Sequence, residues 1–127
     1  MGKLLYGDLT DVIIGAAIKV HNTLGTNLTE YVYKNALIVQ LRFMGLRVET
    51  EKHVPLKFAN VGVGVQRVDV LVEDKVVIET KALRRISTDH FRKLLATLRN
   101  TEFQLGLIIN FGQSVNIKRV INTVQNK

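Results

Sequence analysis

The chain has 127 residues, of which 46% are hydrophobic, and its 18 Lys and Arg against 11 Asp and Glu give a formal net charge of +7. This length and apolar content predict one folded domain over residues 1–127 and exclude a disordered tail. The absence of Cys excludes disulfide scaffolds, thiolate zinc sites and cysteine nucleophiles. No secretory-type apolar segment opens the chain and no apolar run approaches the roughly 20 residues of a membrane span, so we expect a soluble, cytoplasmic protein with no membrane partner.

Two helices are predicted before the first strand. Asp8 and Asp11 are typical of a helix start, and apolar residues then recur at i, i+3/i+4 spacing up to Gly25. The segment Asn27–Glu30 matches a capping box with Asn in place of Ser or Thr. The second helix is therefore predicted to begin at Asn27 and to end at Gly45.

The middle of the chain changes to an extended period. A strand is predicted from Leu46 to Phe58, with Pro55 placing it near an edge or a bend, and a turn is predicted over residues 60–64. Residues 65–72 and 76–81 are rich in Val and Ile, and residues 73–75 join them as a tight hairpin.

The last third is predicted to hold a helix and a buried strand. Ser87 or Thr88 can cap the helix, which is predicted to end at Asn100. Residues 105–111 are apolar at both parities and predict a strand covered on both faces. The tail from Ser114 fits a short helix or an edge strand equally well. The order α-α-β-β-β-α-β predicts an α/β fold, a mixed sheet flanked by helices.

The hairpin carries the chemistry. Since side chains alternate along a strand, Asp69 and Leu71 are expected on one face, with Val68, Val70 and Val72 on the other. A three-residue loop places Asp69 opposite Glu79, at a Cβ separation of roughly 4.5–5.5 Å. Two carboxylates at that separation repel each other unless a cation lies between them.

A divalent cation would remove this conflict. Hard oxygen ligands with room for water and a phosphate suit Mg²⁺. Lys81 lies two residues after Glu79 on the same face, where its ammonium can stabilise a phosphate or orient a hydroxide. The competing interpretation makes Asp69 a solvent-facing residue and Glu79–Lys81 an ordinary surface pair.

The spacing of Asp69, Glu79 and Lys81 resembles the core of the PD-(D/E)XK nuclease superfamily, whose fold is restriction-endonuclease-like. Residues 14–25, Leu28-Thr-Glu30-x-x-Tyr33, residues 105–112 and residues 117–122 resemble the GxxExxY protein family, a compact branch of that superfamily. The resemblance covers almost the whole chain. It implies a Mg²⁺-dependent nuclease, with Mn²⁺ as a substitute, in which Asp69 and Glu79 hold the metal, the Thr80 carbonyl is a further ligand and Lys81 positions the attacking water.

Other family positions receive a role only from this resemblance. Glu30 matches the helical Glu of the family's motif and implies a contribution to the metal site; the capping box is its structural alternative. Tyr33 is better explained as a core residue with a satisfied hydroxyl, and His21 as a hydrogen-bonded structural residue. Asn27 stands where the motif has Gly, and Lys93 where the family usually has Gln.

The positive charge is concentrated near the predicted site. Residues 1–80 hold nine basic and nine acidic residues, whereas residues 81–127 hold nine basic and two acidic ones. This asymmetry predicts a polyanionic partner, by default nucleic acid, with DNA as the expected form, although an ordinary solvated basic face explains the charge equally well. The residues expected to bind phosphates are Arg84, Arg85, Arg92, Lys93 and Arg99.

Lys93 also supports an alternative, a catalytically impaired nucleic-acid-binding or assembly module, because its charge can replace that of the metal. Small domains with one basic face often act as homodimers, but the sequence identifies no interface.

Overall fold

The computed structural model describes residues 4–123, which form three helices and five strands. In chain order these are α1 (Gly7–Leu24), α2 (Glu30–Phe43), β1 (Val48–Phe58), β2 (Val61–Val72), β3 (Val76–Lys81), α3 (Thr88–Arg99), β4 (Leu105–Phe111) and β5 (Val115–Ile121). The predicted α/β class and element order are confirmed, and the tail from residue 115, left open between helix and strand, forms an edge strand.

The five strands form one mixed sheet in the order β1-β2-β3-β4-β5. β3 and β4 are parallel and the other neighbouring pairs are antiparallel. A parallel pair needs a crossover connection, which α3 provides. The hairpin with the predicted chemistry consists of β2 and β3. Its second strand, β3, is therefore also the first strand of the parallel pair that α3 connects.

The sheet buries apolar side chains on both faces. On one face α1 and α2 contribute Ile13, Leu37 and Leu41 to a core that also holds Val70 and Ile78. On the other face α3 packs through a separate cluster, whose buried members are Val68, Leu71, Val77, Leu94, Leu98, Phe103, Ile108 and Val120. β4 is buried along its whole length, as its doubly apolar sequence predicted.

The hairpin between β2 and β3 has the predicted loop and register. Val70, Leu71 and Val72 pair with Ile78, Val77 and Val76. The predicted start of β2 at Val65 is wrong, however, because this strand begins at Val61. The turn lies at Ala59 and Asn60, both with positive φ, as a two-residue hairpin turn requires, and the glycines that suggested a longer turn lie within the strand.

The capping box predicted at Asn27–Glu30 is also wrong. α2 begins at Glu30 after Thr29, which makes no side-chain capping bond, while Asn27 adopts a left-handed φ of 69°. The Tyr33 hydroxyl fixes this entry instead, since it accepts the Leu28 N–H at 3.3 Å and donates to the Gly25 carbonyl at 2.5 Å. The side chain of Glu30 is thereby left available for another partner.

The predicted ends of α3 are confirmed. Ser87 is the N-cap and Asn100 the C-cap, and His90 completes a capping box with Ser87. α1 begins at Gly7, one residue before Asp8, and its N-cap position, Tyr6, makes no side-chain capping bond.

One face assignment in β2 is wrong. Val68 packs with Leu71 and Val77 on the α3 side, whereas Val70 and Val72 pack on the opposite side. The regular alternation is interrupted at Asp69. Glu51, the residue of β1 that would lie opposite it, has a φ of +52°, and the ladder passes from Thr50–Val70 to Lys52–Val68 without a pair between them. This irregularity lies directly at the predicted metal ligand.

Within residues 4–123, no helix has both the length and the apolar character needed to cross a lipid bilayer.

Candidate active site

A cleft of about 380 Å³ opens between the sheet and α3. β3 contributes Glu79 and Lys81, which lie two residues apart and so project from the same face of the strand. α3 contributes His90, Lys93 and Thr97 at helical spacing, and β2 contributes Gln66; the remaining lining residues are Leu94, Ala96 and Ile108. The predicted catalytic residues Glu79 and Lys81 thus share one cleft with Lys93.

Glu79 lies in an electrostatically unfavourable environment. Burial raises the pKa of its carboxyl, and the nearby carboxylates of Asp69 and Glu30 raise this pKa further. The ammonium groups of Lys81 and Lys34 act in the opposite direction, but they do not compensate fully. A group of this kind is stabilised in its ionised form by an added cation.

Asp69 lies immediately beyond the last hydrogen-bonded pair of the β2–β3 hairpin, Val70–Ile78. The register continues to place it opposite Glu79, and the effect of its charge on the pKa of Glu79 shows that the two carboxylates interact. Asp69 also accepts an ion-pair contact from Arg67 Nε at 3.1 Å, and Arg67 contacts Glu51 as well. The solvent-facing alternative for Asp69 therefore holds only in part: the side chain is 33% exposed and has a basic partner.

Glu30 approaches the site from the other face of the sheet. Its Oε2 accepts a hydrogen bond from the hydroxyl of the buried Thr80 at 3.2 Å, which connects the start of α2 to β3. Thr80 alternates with Glu79, so Glu30 lies behind the strand that lines the cleft. Lys34, one turn further along α2, is half-buried and its charge acts on Glu79. The sequence analysis missed Lys34; its position four residues after Glu30 was the available signal.

The end of β3 is fixed by a buried asparagine that the sequence analysis also missed. Asn110 on β4 pairs with Lys81 in the parallel register. Its side-chain oxygen accepts the Leu83 N–H at 2.8 Å, and its amide nitrogen donates to the Leu83 carbonyl at 2.8 Å. These two bonds hold the chain leaving Lys81 against β4. A single polar residue in an otherwise apolar strand was the signal for this role.

The orientation of His90 is set by its role in the capping box. Its Nδ1 accepts the Ser87 N–H at 3.0 Å and contacts the Ser87 hydroxyl at 3.2 Å. When the ring is neutral and Nδ1 is an acceptor, the proton is on Nε2. The ring therefore presents a donor on the cleft side of α3, one turn before Lys93.

The five basic residues predicted to bind phosphates lie on different surfaces. Lys93 lines the cleft. Arg84 lines a recess beside Leu28 and Gly112, and Arg85 is exposed in the same connection to α3. Arg92 and Arg99 are exposed on α3, where their spacing of seven residues gives them a common stripe, and Arg92 contacts Asp89 at 3.7 Å.

The structural interpretations of His21 and Tyr33 are confirmed. Tyr33 is fully buried and its ring stacks on Phe111 at a centroid distance of 4.7 Å. His21 Nε2 lies 2.9 Å from the Gly112 carbonyl, which makes it the donor in this bond. Both residues pack the ends of α1 and α2 against the loop after β4.

The carboxylates of the site can be compared with the ligands that a divalent metal requires. Residues 4–123 contain no cluster of three or more His, Asp and Glu side chains arranged to hold a metal by themselves. Mg²⁺ rarely requires such a cluster, since it is commonly held by one or two carboxylates, several waters and the substrate phosphate. Asp69 and Glu79 supply two carboxylates, and the pKa of Glu79 is raised first by desolvation and then by the neighbouring negative charges of Asp69 and Glu30. The residues present therefore fit one hydrated Mg²⁺.

Comparison with known proteins gave one family and one related fold. A family model described as the PD-(D/E)XK nuclease superfamily matches residues 7–120, which include every predicted metal ligand. A solved structure titled "Crystal structure of SSO0001" is similar, with 13% identity, a TM-score of 0.50, and coverage of 94% of this chain and 81% of that chain. At this identity the likeness concerns the fold alone. A search of curated proteins found no match.

Proposed function

The chain belongs to the PD-(D/E)XK nuclease superfamily, and from this membership and the cleft we propose that it is a Mg²⁺-dependent nuclease hydrolysing phosphodiester bonds of nucleic acid, most readily DNA. Asp69 and Glu79 hold the metal, the Thr80 carbonyl is a further ligand and Lys81 positions the attacking water. Membership of the GxxExxY branch is part of the same proposal. It rests on the matching residues around Glu30 and Tyr33.

The environment of Glu79 is the single observation that supports this function best. A half-buried carboxylate beside two other carboxylates costs a protein stability, and the raised pKa of Glu79 reflects that cost. Such arrangements are typical of catalytic sites, where the charge is required for function. The metal, when bound, supplies Lewis-acid polarisation of the phosphate and a more acidic water.

The chain's own residues divide the remaining work. Lys81 lies on the same face as Glu79, so its ammonium can hold a water in line with the phosphorus and stabilise negative charge as it develops on the phosphate. Lys93 and the Nε2–H of His90 face the same space from α3 and contact non-bridging phosphate oxygens. Asn110 and Thr80 keep β3 and its two functional side chains in position.

The proposed partner follows from charge. The formal net charge of +7 and the excess of basic residues after residue 80 favour a polyanion. Contacts from Lys93 and the four predicted arginines would release counterions, so binding is expected to weaken steeply with salt.

Cleavage of plasmid and single-stranded DNA in Mg²⁺ tests the proposal. Glu79→Ala and Lys81→Ala are expected to lower the rate at least about a hundredfold, the size typical of losing one preorganised catalytic group. Glu102→Ala and Lys118→Ala are matched controls, because they remove exposed charges outside the cleft and should leave the rate unchanged. Equal residual cleavage in all five proteins would refute the assignment.

One contact favours a second candidate, a catalytically impaired nucleic-acid-binding module. Arg67 already provides a cation for Asp69 at 3.1 Å, and Lys93 adds another positive charge to the cleft. Under this candidate, calorimetry with Mn²⁺ gives no heat that depends on Asp69 while affinity for DNA remains. Mn²⁺ binding by the wild type that disappears in Asp69→Asn would exclude this second candidate.

A further inference from the structure

The hairpin of β1 and β2 extends well beyond the rest of the sheet. β1 pairs with β2 over its whole length, from Val48–Val72 to Phe58–Val61. β3 pairs with β2 only at residues 70–72. Residues 52–58 and 61–68 therefore form a two-stranded ribbon, and none of the other strands within residues 4–123 lies beside it.

One side of this ribbon is continuous with the cleft. Gln66 lines the cleft next to Glu79, and Val54 is its cross-strand partner. Residues two apart share a face, so Leu56 and Phe58 follow Val54 on that side, opposite Gly64 and Val61 respectively. We call this set, Val54, Leu56, Phe58, Val61, Gly64 and Gln66, the ribbon face.

Towards its tip the ribbon face consists of apolar side chains that are exposed to solvent. Phe58 is 76% exposed and Val61 is 63% exposed, and the two lie opposite each other at the tip of the ribbon. Gly64 lies between them and Gln66, and a Cβ added there would meet nothing within 4 Å. Its φ is not in the left-handed region, so the backbone does not require Gly at this position. Glycine inside a strand commonly marks a place where a ligand approaches the backbone closely.

We propose that the ribbon face is a substrate arm that lies in a groove of duplex nucleic acid whose phosphodiester occupies the cleft, with Phe58 and Val61 as apolar contacts to the bases. This inference rests on the proposed function. The four residue steps from Val54 to Phe58 span about 13 Å, which corresponds to roughly four base-pair steps at 3.4 Å each. A two-stranded ribbon fits the major groove, and apolar side chains at such tips commonly contact or wedge bases.

Charge and edge structure favour nucleic acid over a second copy of the chain. Residues 52–68 contain no Asp or Glu, and their basic residues are Lys52, Lys57 and Arg67. Lys52 is paired with Glu49, and Arg67 with Glu51 and Asp69, so within residues 4–123 it is Lys57, near the tip, that offers a polyanion a charge with no ion-pair partner. The outer edge of β1 is a poor template for another strand, because Pro55 lacks an N–H, the register shifts at Leu56/Lys57 and Glu51 has a positive φ.

Fluorescence anisotropy with a labelled 20-base-pair duplex, in EDTA to prevent cleavage, tests the arm. Gly64→Val adds bulk to the ribbon face and Phe58→Ser removes its exposed ring. Each is expected to raise the Kd at least about fivefold, the equivalent of roughly 1 kcal/mol. Gly62→Val is the matched control: Gly62 pairs with Lys57 on the opposite side of the ribbon and also has open space around it. It should change the Kd less than about twofold, and all three variants should unfold near the wild-type temperature because the changed sites are exposed.

The outcomes separate the arm from the nuclease proposal. Wild-type binding that is weakened by Gly64→Val and Phe58→Ser but not by Gly62→Val supports the arm. Equal binding by all four proteins, with cleavage intact in Mg²⁺, overturns the arm and leaves the proposed function standing. A wild-type dimer in sedimentation that Phe58→Ser dissociates, with the DNA affinity unchanged, shows that the face binds a second copy and overturns the arm as well. If the wild type neither binds nor cleaves nucleic acid, both proposals are contradicted.

Discussion

Gly106→Ala should displace the helix that forms one wall of the cleft. Gly106 is the second residue of β4 and lies beneath Leu94 of α3. A Cβ at this position would approach Leu94 Cδ2 at 2.8 Å and its Cδ1 and Cγ at 2.9 Å, whereas ordinary contact begins near 3.4 Å. Leu94 is buried, and three of its atoms are affected at once, so rotation of the side chain end alone cannot relieve the overlap. Overpacking of this kind costs about 1–3 kcal/mol.

The free energy of unfolding in urea, followed by circular dichroism, measures this effect. Leu94→Ala alone should cost about 2–5 kcal/mol through the cavity that it leaves. In the double variant the added methyl occupies part of that cavity, so the combined loss should be smaller than the sum by about 1 kcal/mol or more. Gly15→Ala is the control: nothing lies within 4 Å of its added Cβ, and this helical position should gain roughly 0.5–1 kcal/mol. An unchanged stability for Gly106→Ala, or strict additivity with Leu94→Ala, would refute the packing of α3 on β4 as described.

Four further predictions concern the site and its support. Because the folded protein holds the proton on Glu79 more tightly than the unfolded chain does, the metal-free protein should lose stability as the pH rises through the raised pKa, and urea titrations across pH 4–8 should show a flatter profile for Glu79→Gln. Lys81→Met should lower the cleavage rate about a hundredfold or more while calorimetric Mn²⁺ binding stays intact; loss of the metal as well would instead make Lys81 a structural residue. Lys93→Gln should reduce the slope of log affinity for DNA against log salt by about one, and an unchanged slope would remove Lys93 from the phosphate contacts. Tyr33→Phe should cost about 1–2 kcal/mol in thermal unfolding, since the Gly25 carbonyl loses its donor, with cleavage unaffected.

The hairpin was predictable because its signals are local. Alternation of Val and Ile with three isolated charged residues defined both strands, and the three-residue loop fixed the register that places Asp69 opposite Glu79. The signals that predicted the start of α3 at Ser87 and its end at Asn100 were equally local. Each of these features depends on neighbours within a few positions, where residue type constrains the backbone strongly.

The wrong predictions involve residues whose behaviour is decided by distant partners. Glu30 fitted a capping box, but Thr80, 50 residues away, is its hydrogen-bond partner. Gly62 and Gly64 suggested a turn, whereas they lie within β2, where their lack of a side chain leaves the backbone exposed. The face change at Val68 follows from the positive φ of Glu51 on a neighbouring strand. Periodicity along one strand cannot reveal an irregularity that arises in its partner.

The contacts of Lys34 and Asn110 also required the tertiary structure. Lys34 acts on Glu79 from α2, and Asn110 binds the backbone of Leu83 from a strand that follows 27 residues later. Neither belongs to the short motif that identified the hairpin. Both illustrate how the groups that position a site are distributed through the chain.

A crystal of the wild-type protein soaked in Mn²⁺ tests the central claim most directly, because anomalous scattering locates the ion without assumptions about activity. We expect one peak bonded to the carboxylates of Asp69 and Glu79, at about 2.1–2.2 Å from their oxygens, with Lys81 beside it and Arg67 turned away from Asp69. A soak of Glu79→Ala should lack the peak. An empty space between Asp69 and Glu79 in the wild type, with the ammonium of Lys93 lying between the two carboxylates, would contradict the account.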